Sequence, residues 1–143
     1  HNTSPEVLVY NASVLDPRPP SKLVPDHVVK DLKSNVVGAI TSAQEVIPGM
    51  SKKGSGTILI TGGGLALHPH YEYASLGMGK AAIRNFTYSL AQECKDMGIH
   101  VGMVTINGMV KKGTKFDPDK IAEEFWKLHN QKKKDWQTEV VYE

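Results

Sequence analysis

Cysteine is almost missing from this sequence: Cys94 is the only one in 143 residues. One thiol excludes an internal disulfide and a thiolate metal cluster, so stability must come from an apolar core. Cys94 itself sits in a helical pattern and is expected to be semi-buried and inert. Long hydrophobic runs are missing too. The apolar stretches are a few residues each, far below the ~20 that a membrane-spanning helix needs. The first residues, HNTSPEVLVY, lack the basic-then-apolar order of a secretory leader. Charge of one sign is in small excess: 17 Lys and Arg against 15 Asp and Glu leave +2, too little to point to nucleic acid. The one basic cluster, Lys132 to Lys134, follows a helical pattern and reads as a solvated helix end. Together these absences predict a protein of the reducing cytoplasm, with neither a membrane nor a nucleic acid as partner. The triplets beginning at Asn2, Asn11 and Asn85 fit the glycosylation pattern, but without secretion they read as chance matches.

What is present is ordinary globular material, 40% hydrophobic and 22% charged. A chain of 143 residues suits one domain, 1–143, or part of one, and folding at this size buries about 68–70% of the surface. No internal repeat is visible. The runs EVLVY (6–10), GTILI (56–60) and HVGMVTI (100–106) are apolar, β-branched and bounded by turn residues. Continuous runs of this kind predict strands buried on both faces of a parallel sheet. TEVVY (138–142) is a weaker fourth.

Helical spacing fills the gaps between the strands. Val29, Leu32, Val36, Ile40, Ala43 and Ile47 recur at three- or four-residue steps within 25–50, and Ile83, Phe86, Leu90 and Cys94 do so within 75–96. DPDKIAEEFWKLHNQ (117–131) opens with a capping Asp117 and with Pro118 at the first helical position. Trp126 and Trp136 are expected to pack. ASVLDPRPPSKL (12–23) carries three prolines and reads as a loop. The order β-α-β-α-β-α-β predicts a layered α/β fold with right-handed crossovers. The first strand is as apolar as a central one. At an open edge it would be an aggregation hazard, so it is expected to pair with a further segment or a second chain.

VLVYNAS, LKSNVVGAITSAQEVIPGM, GTILITGGG, GKAAIRNFTYSLAQE and IHVGMVTINGMV stand in the order and near-spacing of a known family. The chain resembles the second half of a short-chain dehydrogenase/reductase, weakening after about Gly113. The resemblance implies a partial Rossmann-like fold and an oxidoreductase that moves hydride between NAD or NADP and a small-molecule carbonyl or alcohol. It places Asn35 on the family's catalytic asparagine, Lys80 on its catalytic lysine, and Asn107-Gly108 on a Pro-Gly turn. Asn11, Ala12 and Ser13, at the end of the first strand, would then line the cofactor cleft with Lys80, Asn107, Gly108 and Val110. The bland alternatives are that Lys80 is a surface lysine, Asn35 satisfies helix backbone, and Asn11 caps a turn. The family also implies self-association through the helices 25–50 and 75–96, where Gly77, Gly79, Ala81 and Ala82 leave room for close packing.

Three departures bear on the chemistry. The family's glycine-rich phosphate turn is not found, since TGGG (61–64) lacks the G-x-G-x-x-G spacing and the closing helix, so this stretch of chain is expected to hold NAD(P) weakly. The family's tyrosine, four residues before the lysine, falls on Leu76. Its serine, thirteen residues earlier still, falls on Gly63. Leucine has no proton to give, and glycine has no side chain at all. Tyr73 is the only credible replacement acid, with Thr61, twelve residues before it, supplying a hydroxyl. On one helix Tyr73 and Lys80 would project within about 20° of each other but roughly 10.5 Å apart along the axis. A helix starting near Ser75 would instead let Tyr73 fold back. Two readings remain open: an oxidoreductase with a displaced Thr61–Tyr73–Lys80 site, or a catalytically silent scaffold for binding or assembly. His68 and His70, in the loop before that helix, suggest no third ligand and read as solvated rather than metal-binding.

Overall fold

The computed structural model describes residues 4–143; Asn2, which begins the first glycosylation-type triplet, lies outside them. Four strands, β1 (Val7–Tyr10), β2 (Gly56–Gly63), β3 (Ile99–Ile106) and β4 (Glu139–Tyr142), form one sheet in chain order. Every pairing is parallel, with Val7 opposite Thr57, Gly56 opposite Ile99 and Met103 opposite Glu139. The expected pairings of 6–10 with 56–60 and of 56–60 with 100–106 are therefore present. β2 runs three residues further than expected, because Gly63 is extended (φ −153°, ψ 145°) and pairs with Ile106. Gly62 and Gly63, expected to bound the run, continue the strand, and Gly64 opens a 3-10 turn.

Two faces pack. On one, Ile58, Ile60, Val101 and Met103 meet Ala43, Val46 and Met50 of α2 (Gly38–Lys53) and Ile83, Leu90 and Cys94 of α3 (Ala74–Cys94). On the other, Leu59 and Val104 meet Leu128 of α4 (Pro118–His129). The caps follow local chemistry: Asp117 accepts from the Asp119 amide at 3.0 Å, and Pro118 opens the helix. Gly54 closes α2 in the left-handed region (φ 68°), which a side chain would strain. Cys94 is fully buried.

The helix expected over 25–50 is interrupted. α1 (Pro25–Leu32) and α2 are joined by a π-helical turn, Lys33–Val37. The residues facing inward are Asp31, Asn35, Ala39, Ala43, Val46 and Met50, whereas Val29 is 57% exposed. The apolar stripe expected from Val29 to Ile47 is thus rotated, because two polar residues hold core-facing positions. Two smaller differences concern α4 and its exit. Trp126 does not pack (it is 67% exposed), while Trp136 stacks on His100 with ring centres 4.9 Å apart. Lys133 and Lys134 lie in a short 3-10 turn beyond α4.

β1 lies at an edge. Leu8 and Tyr10 pack on the core, but Val7 and Val9 on its other face are 37% and 53% exposed. No element on the far side of β1 pairs with it among the described residues.

Candidate active site

The carboxyl ends of β1, β2 and β3 open onto one cavity of about 1130 Å³. Ligands of open parallel sheets bind at this end, where the strand-end loops diverge. Asn11 and Ser13 enter from the loop after β1, Thr61 to Leu65 from β2 and its exit, and Asn107 to Val110 from the loop after β3. Tyr73, Leu76 and Lys80 come from the start of α3, and Ile121 and Phe125 from α4. Ala12 sits exposed in the same loop as Asn11 but is not on the cavity wall. Among the described residues no aspartate or glutamate lines the cavity.

Lys80 is the best-defined group. Its ammonium donates to the Thr61 carbonyl at 3.0 Å, and no carboxylate pairs with it among the described residues. Burial holds its pKa below the ordinary lysine value. Its stem fills the space in front of Gly63: a Cβ there would stand 3.3 Å from Cγ, Cδ and Cε of Lys80. The missing serine side chain therefore leaves room that the lysine occupies.

Tyr73 stands outside the helix. It is the cap residue of α3, with non-helical backbone (φ −124°, ψ 40°), and its amide donates to His70. The axial separation expected for a tyrosine inside the helix does not apply, and Tyr73 shares the cavity wall with Lys80. His70 lies against it, ring centres 5.7 Å apart, and both His68 and His70 reach the cavity rim. Leu76 lines the wall between Tyr73 and Lys80 in the chain. Thr61 is less favourably placed. Its hydroxyl is buried and makes no hydrogen bond among the described residues, so it must rotate to meet a ligand.

Asn35 stands apart from the cavity. Its side chain accepts from the Val14 amide (2.7 Å) and donates to the Val14 carbonyl (3.3 Å), clamping the proline-rich loop after β1. The π turn that carries it lets Tyr10 donate to the Ser34 carbonyl. π turns of this kind concentrate at functional sites because they release backbone groups from the helical ladder. Gly79 makes the approach possible, since a Cβ there would come within 2.8 Å of Asn35 Cβ. Gly79 thus serves packing within the chain, whereas Ala81 and Ala82 are exposed.

Sequence reasoning missed the buried Ser75–Asp31 hydrogen bond (2.7 Å) that ties the start of α3 to α1. It also missed Glu139, which accepts from Arg84, Tyr88 and Thr105. The signal for the first was available: Asp31 and Asn35 stand one helical turn apart, in line with Ala39 and Ala43. Nothing near Glu139 in sequence points to α3.

Residues 4–122 match the family model for short chain dehydrogenases. Human 17-beta-hydroxysteroid dehydrogenase type 1 is 34% identical over 101 residues, which are 69% of this chain and 30% of that protein. The fold is similar to that of serine dehydrogenase from Escherichia coli (TM-score 0.85, 19% identity), covering 96% of this chain and 62% of the other. A 4-hydroxyisoleucine dehydrogenase complexed with NADH and succinate is similar at TM-score 0.84 and 19% identity, over 96% of this chain and 66% of that one. The chain spans less than a third of the human relative and under two thirds of the serine dehydrogenase. By the extent of the family match and this shared fold, the chain belongs to the short-chain dehydrogenase family.

Proposed function

We propose that this chain is the carboxyl-terminal part of a Rossmann-like domain that transfers hydride between NAD or NADP and a carbonyl or alcohol substrate. The observation that carries the reading is the meeting of Lys80, Tyr73 and the loops after β1 and β3 in one cavity at the carboxyl ends of the strands. The bare edge of β1, with Val9 on the cavity wall, suits a further strand-and-helix segment that would supply the phosphate-binding turn.

The residues present fit the nicotinamide-ribose end of such a cofactor. Lys80 offers a cation free of carboxylates, and Asn11 and Asn107 offer amide groups at the adjoining strand ends. Those residues, with Ser13, Gly108 and Val110 beside them, form the proposed cofactor wall, and Ala12 belongs to the same loop without lining it. When bound, the cofactor supplies or accepts the hydride. The chain's own part is positioning and proton transfer. Lys80 holds ribose hydroxyls and keeps a positive charge near the developing alkoxide, which stabilises it. Tyr73 donates the proton to the carbonyl oxygen, and a rotated Thr61 hydroxyl orients that oxygen. Asn35 acts at one remove, by fixing the loop that carries Asn11 and Ser13.

In the full-length protein, Tyr73→Phe is expected to lower NAD(P)H-dependent carbonyl reduction by ~100-fold or more, the usual share of a general acid. Reduction that survives unchanged removes Tyr73 from the mechanism. A second reading, a binding scaffold without turnover, is favoured by Leu76 on the wall and by the sealed Thr61 hydroxyl. Saturable NADPH binding with no reduction of any carbonyl offered would select it.

A further inference from the structure

We propose that Lys80 is a carbonyl-capturing lysine: with the cavity free of cofactor, its amine forms a reversible imine with an apolar aldehyde or ketone. The proposal shares the cavity of the oxidoreductase reading but needs neither the cofactor nor a proton-donating tyrosine.

Four observations support it. Lys80 faces the cavity, and its one hydrogen bond among the described residues goes to the Thr61 carbonyl, a neutral acceptor. Among the described residues no carboxylate lines the cavity to hold the amine as an ammonium ion. The walls around the cavity include Leu65, Leu76, Ile121 and Phe125, which suit an apolar organic group and exclude water once it is seated. Gly63 leaves backbone rather than a side chain beside the lysine stem. Burial also lowers the Lys80 pKa, enlarging the share of free amine at neutral pH. Desolvation of this kind is how lysines become nucleophiles toward carbonyls.

The chemistry balances without an oxidant or reductant. The Nζ lone pair attacks the carbonyl carbon, forming the C–N bond while the C=O π electrons move to oxygen. One proton passes from nitrogen to that oxygen to give a carbinolamine. Loss of the oxygen as water then leaves the C=N bond, and hydrolysis reverses every step. The 3.0 Å hydrogen bond to the Thr61 carbonyl aligns the amine, and the departing oxygen takes its proton from solvent water.

The test is reductive trapping in the full-length protein without cofactor. The protein is mixed with 4-phenylbenzaldehyde at neutral pH, sodium borohydride is added, and peptides are mapped by mass. Trapping adds the mass of the aldehyde less one oxygen to the modified lysine. The expected result is labelling of Lys80 at least about tenfold faster than of the exposed Lys52 and Lys132, as a desolvated amine predicts. That preference should persist to lower pH than labelling of the exposed lysines. Glyoxylate, a small anionic aldehyde, is expected to show no such preference. Lys80→Arg keeps the charge and the donor to Thr61 while removing the primary amine, so its trapped peptide should vanish with the circular dichroism spectrum unchanged. If the variant misfolds, the relative rates within the wild-type protein still decide. Lys80 labelled no faster than Lys52 and Lys132, or preferred by glyoxylate rather than by the apolar aldehyde, overturns the proposal. Neither outcome touches hydride transfer, which is scored separately by NADPH oxidation.

Discussion

Gly77 and Gly79 stand two residues apart inside α3, and replacing each by alanine should move stability in opposite directions. Alanine is favoured over glycine in a helix interior by about 0.8–1.0 kcal/mol. At Gly77 that gain is free of penalty, because a Cβ would meet only Leu65, at 3.8 Å and beyond. At Gly79 the same Cβ would stand 2.8 Å from Asn35 Cβ and 3.2 Å from its amide nitrogen. Asn35 cannot yield, since both ends of its amide are bonded to Val14 and its Cβ is fixed by the π turn. Overpacking of this kind costs about 1–3 kcal/mol. Gly77→Ala is therefore expected to stabilise by up to about 1 kcal/mol and Gly79→Ala to destabilise by about 0–2 kcal/mol. With urea slopes of about 1–3 kcal/mol/M, the midpoints of the two variants should separate by several tenths of a molar or more. Urea unfolding of the full-length protein, followed by circular dichroism, reads the difference. A Gly79→Ala midpoint at or above that of Gly77→Ala would refute the tight Gly79–Asn35 approach, and with it the placement of Asn35 against α3.

Two further outcomes follow from the buried groups. Burial works to raise the Glu139 carboxyl pKa, but hydrogen bonds from Arg84, Thr105 and Tyr88 and the Arg84 charge outweigh it and hold the pKa below the ordinary glutamate value. A depressed carboxyl stabilises the fold above its unfolded pKa, near 4.3, and that share is lost as pH falls through the lower folded value. Glu139→Gln should therefore flatten the acid limb of a stability–pH profile, and an unchanged limb would show the network to be idle. Burial, with a smaller push from the Glu93 charge, raises the Cys94 thiol to about 11. Native protein at pH 8 should thus react with Ellman's reagent only as fast as it opens; a rapid full burst would contradict the buried position.

Much of the fold was legible because the strands are short, apolar and bounded by turn residues. EVLVY and HVGMVTI became β1 and β3 with ends shifted by one residue. The π turn was not legible. Asp31 and Asn35 are polar, so a search for apolar periodicity passed over them and chose the neighbouring stripe. Their partners, Ser75 and Val14, lie 44 and 21 residues away, and only tertiary structure reveals them. The candidate site was half legible. Motif order pointed to the lysine and the loops at the strand ends, and Tyr73 was inferred as the replacement for the tyrosine that falls on Leu76; all of these line one cavity. The loss of the serine side chain looked like a gap in sequence, but the Lys80 stem fills it. Trp126 was misread because an aromatic in an amphipathic helix carries no mark of which face it takes.

The central claim, hydride transfer at a site organised by Lys80, is tested most directly with NADPH carrying deuterium at both C4 hydrogen positions of the nicotinamide. The full-length protein is incubated with a panel of apolar aldehydes and ketones, and the alcohol products are read by mass spectrometry. The account predicts deuterium in the carbinol carbon of at least one product, and a fall of ~100-fold or more in kcat/KM for Lys80→Met, the scale expected when a charge facing the developing alkoxide is removed. Deuterium transfer that proceeds at full rate in Lys80→Met, or NADPH that binds and never delivers its deuterium, would contradict it.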